Sequence, residues 1–349
     1  MVKLIKCIVF FFALSGSSFS YDVGVYYYPG WTIDAWRVKG DPWMPIKNYP
    51  NREPMLGWYD EKNPDVSDRH FYWMNKFGVD YVIYDWYWHG GTEYLEHAIK
   101  SFKNSKNNYG LKFSILWANH SGYPKSISDF DRMVSYIVQN YLSDDRYYKI
   151  NGQPVVYILS PKKFNDFAVS VGVSVSYLLN RAKSIALDGG IDGIYFIGGA
   201  NALQDELDLV VNGGYSAISA YNYHRGFSGI RDGRKLSASY GELIDGYLES
   251  WIWIAKNSKI PYHVPVSAGW DSSPWRRNDN LIYHDGSYGN YIDFRRHLLE
   301  ARNFMNKYKL KNVVICCWNE FGEGSYIEPT LVDEFKYLEA VNDVFWSMQ

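Results

Sequence analysis

The chain is poor in cysteine, with three in 349 residues. Cys7 lies in the first apolar stretch, and Cys316 and Cys317 are neighbours in a strand-like run. Adjacent strand residues point to opposite faces, so a disulfide between them is not expected, and no disulfide framework or cysteine zinc site follows. There is no surplus of positive charge either: 36 basic residues stand against 38 acidic ones. That balance leaves no electrostatic footprint for nucleic acid. No stretch after the first twenty residues is long and apolar enough to span a bilayer. Also missing are HExxH spacing, a Walker lysine and a dinucleotide fingerprint, so the usual sequence marks of a zinc protease, a P-loop enzyme and a Rossmann enzyme are not there.

Several features are present in their place. Residues 1–20 read as a secretory signal: Lys3 and Lys6 give a basic start, CIVFFFAL an apolar centre, and Ser18-Phe19-Ser20 a small-x-small cleavage site. The expectation is a secreted or periplasmic protein with no membrane span after cleavage, and one domain over residues 21–349. Aromatic residues make up 18% of the chain, with 14 Trp and 32 Tyr. The polar tips of such rings need partners when buried, and their faces suit the C–H faces of sugars, so a carbohydrate is the expected partner.

From Asp22 onward, apolar strand-like runs alternate with amphipathic helical ones. The strands are DVGVYYYPGW, VDYVIYDWYW, KFSILWANH, QPVVYILS, DGIYFIGG, YSAISAYNYH, PYHVPVSAGW and the run from Lys311. Helices are expected over 65–77, 93–104, 128–142, 174–187, 204–211, 240–257, 291–308 and 331–345. Eight β/α units in this length predict a single (β/α)8 TIM barrel, with a doubly wound open sheet as the alternative. A long aromatic loop, residues 32–64, follows the first strand and reads as an ordered wall of a site.

Active sites of such barrels lie at the C-terminal ends of the strands. The ends here bring Tyr28 and Trp31; Asp85, Trp86 and Trp88; Asn119 and His120; Tyr221 and Tyr223; Trp270 and Asp271; and Trp318, Asn319, Glu320 and Glu323. The fourth and fifth strands end plainly, in Ser160 and in Gly198-Gly199-Ala200-Asn201, a tight turn rather than a phosphate cradle. Glu320 and Glu323, three residues apart where a buried strand meets a glycine-bearing loop, are the candidate catalytic pair. Acid/base cleavage of a sugar bond needs two carboxyl groups whose pKa values are held apart. The other named residues are candidates for binding substrate. Asp85 and Asp271 are alternative carboxylates, read here as hydroxyl-binding or orienting groups. His89, His120 and His224 are the alternative metal set, but strand-end histidines equally bind sugar hydroxyls, and no metal or cofactor is expected.

WNEFGEGSYIEPT resembles the terminal signature of the family 99 glycoside hydrolases, the endo-α-mannosidases, and of their WbsX-like relatives. VDYVIYDWYWHG and GWDSSPWRR are similar to further motifs of that group, in the same order along the chain. The resemblance implies a (β/α)8 fold, no metal, and cleavage of α-mannosidic or similar bonds with retention. It also implies roles: Glu320 would take the proton of the sugar's own 2-OH, and Glu323 would act as general acid and then base. Where the mannosidases carry Trp-His between the glutamates, this chain has Phe321-Gly322, a difference that bears on the sugar more than on the chemistry. Two other readings are a catalytically silent glycan-binding barrel, which the intact glutamate pair disfavours, and a WbsX-type glycosyltransferase, which the secretion signal disfavours.

Overall fold

The structure is a computed structural model that describes residues 20–33, 35, 39–223, 239–275 and 287–347. Residues 1–19 of the expected signal segment and His224 lie outside these residues. Eight parallel strands form the barrel: β1 Asp22–Tyr27, β2 Tyr81–His89, β3 Lys112–Trp117, β4 Gln153–Ile158, β5 Tyr195–Gly199, β6 Ala217–Ser219, β7 Val264–Ser267 and β8 Asn312–Cys316. Each pairs with its neighbour in chain order, and β1 pairs with β8. The ring closes between β6 and the approach to β7, where Ile218 N–H donates to Pro261 O and His263 N–H donates to Ile218 O, each at 2.9 Å. This is the (β/α)8 barrel that the alternating pattern predicts.

The helices on the outside are α1 Pro64–Lys76, α2 His97–Asn104, α3 Ile127–Ile137, α4 Pro161–Ser170, α5 Val175–Asp188, α6 Gln204–Gly213, α7 Tyr240–Asn257, α8 Tyr291–Tyr308 and α9 Lys336–Asn342. Most start on a side-chain cap of the expected kind. Asn63, Ser126, Ser160, Ser174, Ser239 and Asn290 each accept from a first-turn N–H. Two elements depart from expectation. Thr92–Tyr94 does not begin a helix but folds back as a short strand on the end of β2. Helix α4 was not foreseen; Pro161 sits in its first turn, where its missing N–H costs nothing.

Side chains alternate across each strand, and the alternation divides the core. Val23, Val25 and Tyr27 of β1, Val82, Tyr84, Trp86 and Trp88 of β2, and Phe113, Ile115 and Trp117 of β3 pack outward in the large core beneath the helices. Tyr26, Tyr81, Ile83, Leu116, Tyr157 and Val314 fill the barrel interior. Gly24 belongs to that inner set: a Cβ there would lie 2.3 Å from Cζ of Tyr81. Its bare Cα is what lets that ring cross the barrel floor and stack on Tyr148 at 3.8 Å.

Cys316 and Cys317 form a disulfide, contrary to expectation. The peptide between them is cis, which brings their Cα atoms to 2.9 Å and turns both side chains into the interior cluster. The alternation is thereby broken at the end of β8, and Trp318 falls into the outer core.

Described residues of the long loop after β1 pack around Trp31, Trp43 and Phe321. Trp31 stacks on Trp43 at 3.9 Å. It is fastened at its far end by a fully buried group of partners. Tyr59 Oη donates to Glu328 at 2.7 Å, and His70 meets the same carboxylate at 3.1 Å.

Candidate active site

A cleft of about 460 Å³ opens at the C-terminal ends of the strands. The residues that reach it are those whose alternation continues the interior set. On β2 these are Asp85 and Tyr87, following Tyr81 and Ile83, and on the first strand Tyr28, following Gly24 and Tyr26. His120 continues the series of Leu116, and Tyr221 that of Ala217. Trp270, Glu320 and Glu323 complete the wall on the side of β7 and β8.

Tyr221 is the hub of the arrangement. Its hydroxyl lies 3.1 Å from Asp85 Oδ2 and 3.0 Å from Glu320 Oε1, which gathers two carboxylates on one donor. Burial, then the charges of Asp85, Glu320 and Glu323, hold its pKa well above the ordinary tyrosine value. The phenol therefore stays protonated and serves as a donor at neutral pH. A single hydroxyl hydrogen points to one oxygen at a time, so the two carboxylates share one donor.

Glu320 is held from behind by its neighbour. Asn319 is fully buried and pairs with the Tyr28 backbone in both directions, accepting from its N–H at 2.9 Å and donating to its carbonyl at 3.0 Å. It also donates to Glu61 at 3.1 Å. Glu61, fully buried, accepts in addition from Trp31 N–H at 2.9 Å and meets His97 at 3.0 Å. Trp31 Nε1 donates to Asn319 O at 2.8 Å. From Glu320 the chain turns at once, with Glu323 N–H donating to Glu320 O at 3.1 Å. That turn presents both glutamates to one cleft.

Of the candidates from the sequence, Tyr28, Asp85, His120, Tyr221, Trp270, Glu320 and Glu323 share the cleft. The other expected binding residues lie outside its described lining. Trp86 and Trp88 belong to the outward phase of β2; their Nε1 atoms donate to Tyr141 Oη and Asp129 Oδ1. Trp318 lies in the outer core and Trp31 beneath the loop. Asn119 is spent on the Ser160 backbone, which it bonds at both N–H and carbonyl, and Asn319 on Tyr28. Tyr223 donates to Ala200 O, and Asp271 is ion-paired with Arg52. Polar and aromatic tips that need partners when buried account for most of these. The long loop contributes no described residue to the lining; it supports the site from outside. His89 lines a separate cavity of about 220 Å³ with Trp88 and Tyr94, apart from His120.

The sequence reading missed Lys162 and Glu206. They line the cleft from the first turns of α4 and α6, beside Ser160 and Asn201 at the strand ends taken as plain. Glu206 accepts from the Asn201 N–H at 2.7 Å, which fixes that rim. The proline-led start PKK was the available signal for the first, and the Asn-x4-Glu spacing for the second.

A barrel of eight parallel strands with a carboxylate-lined cleft at its C-terminal mouth is the architecture of many sugar-active enzymes. The chain belongs to the family described as glycosyltransferase WbsX, whose model matches residues 36–341. It is similar in structure to the GH99 endo-α-mannosidase of Bacteroides thetaiotaomicron, with a TM-score of 0.64 and 18% identity, covering 92% of this chain and 95% of that one. It is also similar to a structure titled glycoside hydrolase-like protein, with a TM-score of 0.69 and 17% identity over 93% and 94% of the two chains. In sequence it is 22% identical to the uncharacterized protein WxcX of Xanthomonas campestris pv. campestris over 341 residues. That match takes in 88% of this chain and 46% of the relative, so the chain spans about half the length of the curated relatives it matches. The structural likenesses establish the fold.

Proposed function

We propose that this protein is a secreted or periplasmic retaining glycoside hydrolase that cleaves α-mannosidic or related bonds in a polysaccharide or glycan. The observation that carries the reading is the convergence of Glu320 and Glu323 on one cleft, with Tyr221 donating between Glu320 and Asp85.

In the first step Glu320 takes the proton of the sugar 2-OH. The freed oxygen attacks the anomeric carbon, the glycosidic bond breaks, and Glu323 gives its proton to the departing oxygen. In the second step Glu323, now a base, takes a proton from water. The water oxygen opens the 1,2-anhydro ring at the anomeric carbon, and the 2-oxygen recovers its proton from Glu320. Two inversions give net retention, and each carboxyl group ends in its starting state. Tyr221, kept as a neutral phenol, stabilises the Glu320 carboxylate when it is charged. Trp270, Tyr28 and Tyr87 offer rings to sugar faces, and His120 and Asp85 offer polar contacts to hydroxyls.

The family's description favours a second reading, transfer of a sugar from an activated donor. The two separate on one panel of α-mannans and other glycans, incubated with and without nucleotide sugars. Release of sugar without a donor supports the hydrolase. Elongation of an acceptor only when a nucleotide sugar is present replaces it with the transferase.

A further inference from the structure

The turn that carries both glutamates is gripped from outside by residues the chemistry above does not use. Arg52 comes from the Pro50–Arg52 turn of the long loop and is 4% exposed. Its guanidinium ion-pairs with the Asp271 carboxylate, and Nη1 donates to Phe321 O at 2.6 Å and to Asp271 O at 3.2 Å. Phe321 directly follows Glu320. The Asp271 N–H in turn donates to Glu323 O at 2.6 Å. Between these contacts Gly322 lies under the indole of Trp275. A Cβ at 322 would fall 1.8 Å from its Nε1 and Cε2, so no side chain fits there. The backbone from Phe321 to Glu323 is thus fixed at three consecutive residues, and Arg52 makes or supports two of the three contacts.

We propose that Arg52 is a positioning residue that sets the placement of Glu320 and Glu323 relative to each other, an inference that rests on the hydrolase reading above. A planar guanidinium can bond a carboxylate and a carbonyl in fixed directions together, which a lysine ammonium on a flexible stem does less well. Slack of about 1 Å at a reacting pair costs ~100-fold in rate. The competing role is structural only: a buried ion pair that pins the loop and leaves the chemistry untouched.

The test compares wild type with R52K, with the double variant R52M/D271N, which leaves no uncompensated charge, and with E328Q. The last loosens the loop's other buried anchor, whose carboxylate bonds Tyr59 and His70 and not the Phe321–Glu323 backbone. On a glycan that wild type cleaves, R52M/D271N lowers kcat ~10- to 100-fold with KM within about twofold, measured well below its Tm. R52K, which keeps the charge and loses the fork, lies between that variant and wild type. E328Q lowers Tm and keeps kcat. Wild-type kcat in R52M/D271N, with only Tm reduced, overturns the proposal. If wild type cleaves no glycan, the hydrolase reading fails on its own. Crystal structures of wild type and R52K then decide the positioning role: a displaced Phe321–Glu323 turn upholds it, and an unmoved one overturns it.

Discussion

Tyr221 faces two carboxylates with one hydrogen to give, at 3.1 Å from Asp85 and 3.0 Å from Glu320. Replacing it by phenylalanine keeps the ring, which packs on Tyr26 at 4.7 Å, and removes only the shared donor. A hydrogen bond to a charged group is worth about 1.5–3 kcal/mol. Y221F should therefore lose ~10- to 100-fold in kcat, with a Tm close to wild type, as steady-state kinetics and a melting curve would show. E320Q and E323Q should each lose at least ~100-fold, the range of general acid/base contributions, and remain folded. A Y221F enzyme with unchanged kcat would remove Tyr221 from the account and leave the glutamates standing.

At the scale of elements, β2 shows why part of the site was legible and part was not. Its sequence YVIYDWYWH is apolar and aromatic on both faces, because a barrel strand is buried by helices outside and by side chains inside. Hydrophobicity therefore finds the strand but not its phase. Asp85 and Tyr87 share the phase of Tyr81 and Ile83 and reach the cleft, whereas Trp86 and Trp88, equally conspicuous in the sequence, face the helices. Small residues could have given the phase: Gly24 in β1 and Ser114 in β3 both mark the inner set. The break in alternation at Cys316 and Cys317 could not have been read, and Trp318 faces the outer core. Adjacent substitutions on this strand test the reading. W86A should cost about 3–5 kcal/mol of stability, as for other large aromatic truncations in a core, and leave KM near wild type. Y87A should raise KM and lower Tm far less. Chemical denaturation and saturation kinetics separate the two, and the reverse outcome would mean that the phase is wrong.

For the whole molecule, the alternation of elements was enough for the barrel, and the two glutamates were visible from their position at its last strand. The supports were not: Arg52, Glu61 and Glu328 make their contacts across more than 200 residues of chain. Stability should also depend on pH through buried histidines. Burial depresses His263 and His297 from 6.5 to about 3. Both stay neutral in the fold, while the unfolded chain takes up protons below about pH 6.5. Their contribution is intact above that pH and is lost as pH falls towards 3. Asp80 opposes this, since burial raises it to about 6. The protonated Asp80 side chain favours the fold below its unfolded value, and that benefit disappears as pH rises through 6. Burial also raises Asp22 and Asp333, by less than Asp80. The two histidines outweigh these carboxyls, so stability at pH 5 should lie on the order of 2 kcal/mol below that at pH 7. Urea titrations at the two pH values would measure it, and H297Q should flatten the difference; equal stability at both would contradict the assignment.

Cleavage of a glycosidic bond with retention is proposed to rest on Glu320 and Glu323 together. It is tested most directly by following the first-formed product by NMR, before mutarotation, with wild type, E320Q and E323Q side by side on α-mannans and other glycans. Wild type should release a sugar of unchanged anomeric configuration, and both variants should release none at a comparable rate. An inverted first product would contradict the mechanism. Binding without release by wild type, matched by both variants, would contradict the enzyme and leave a glycan-binding barrel.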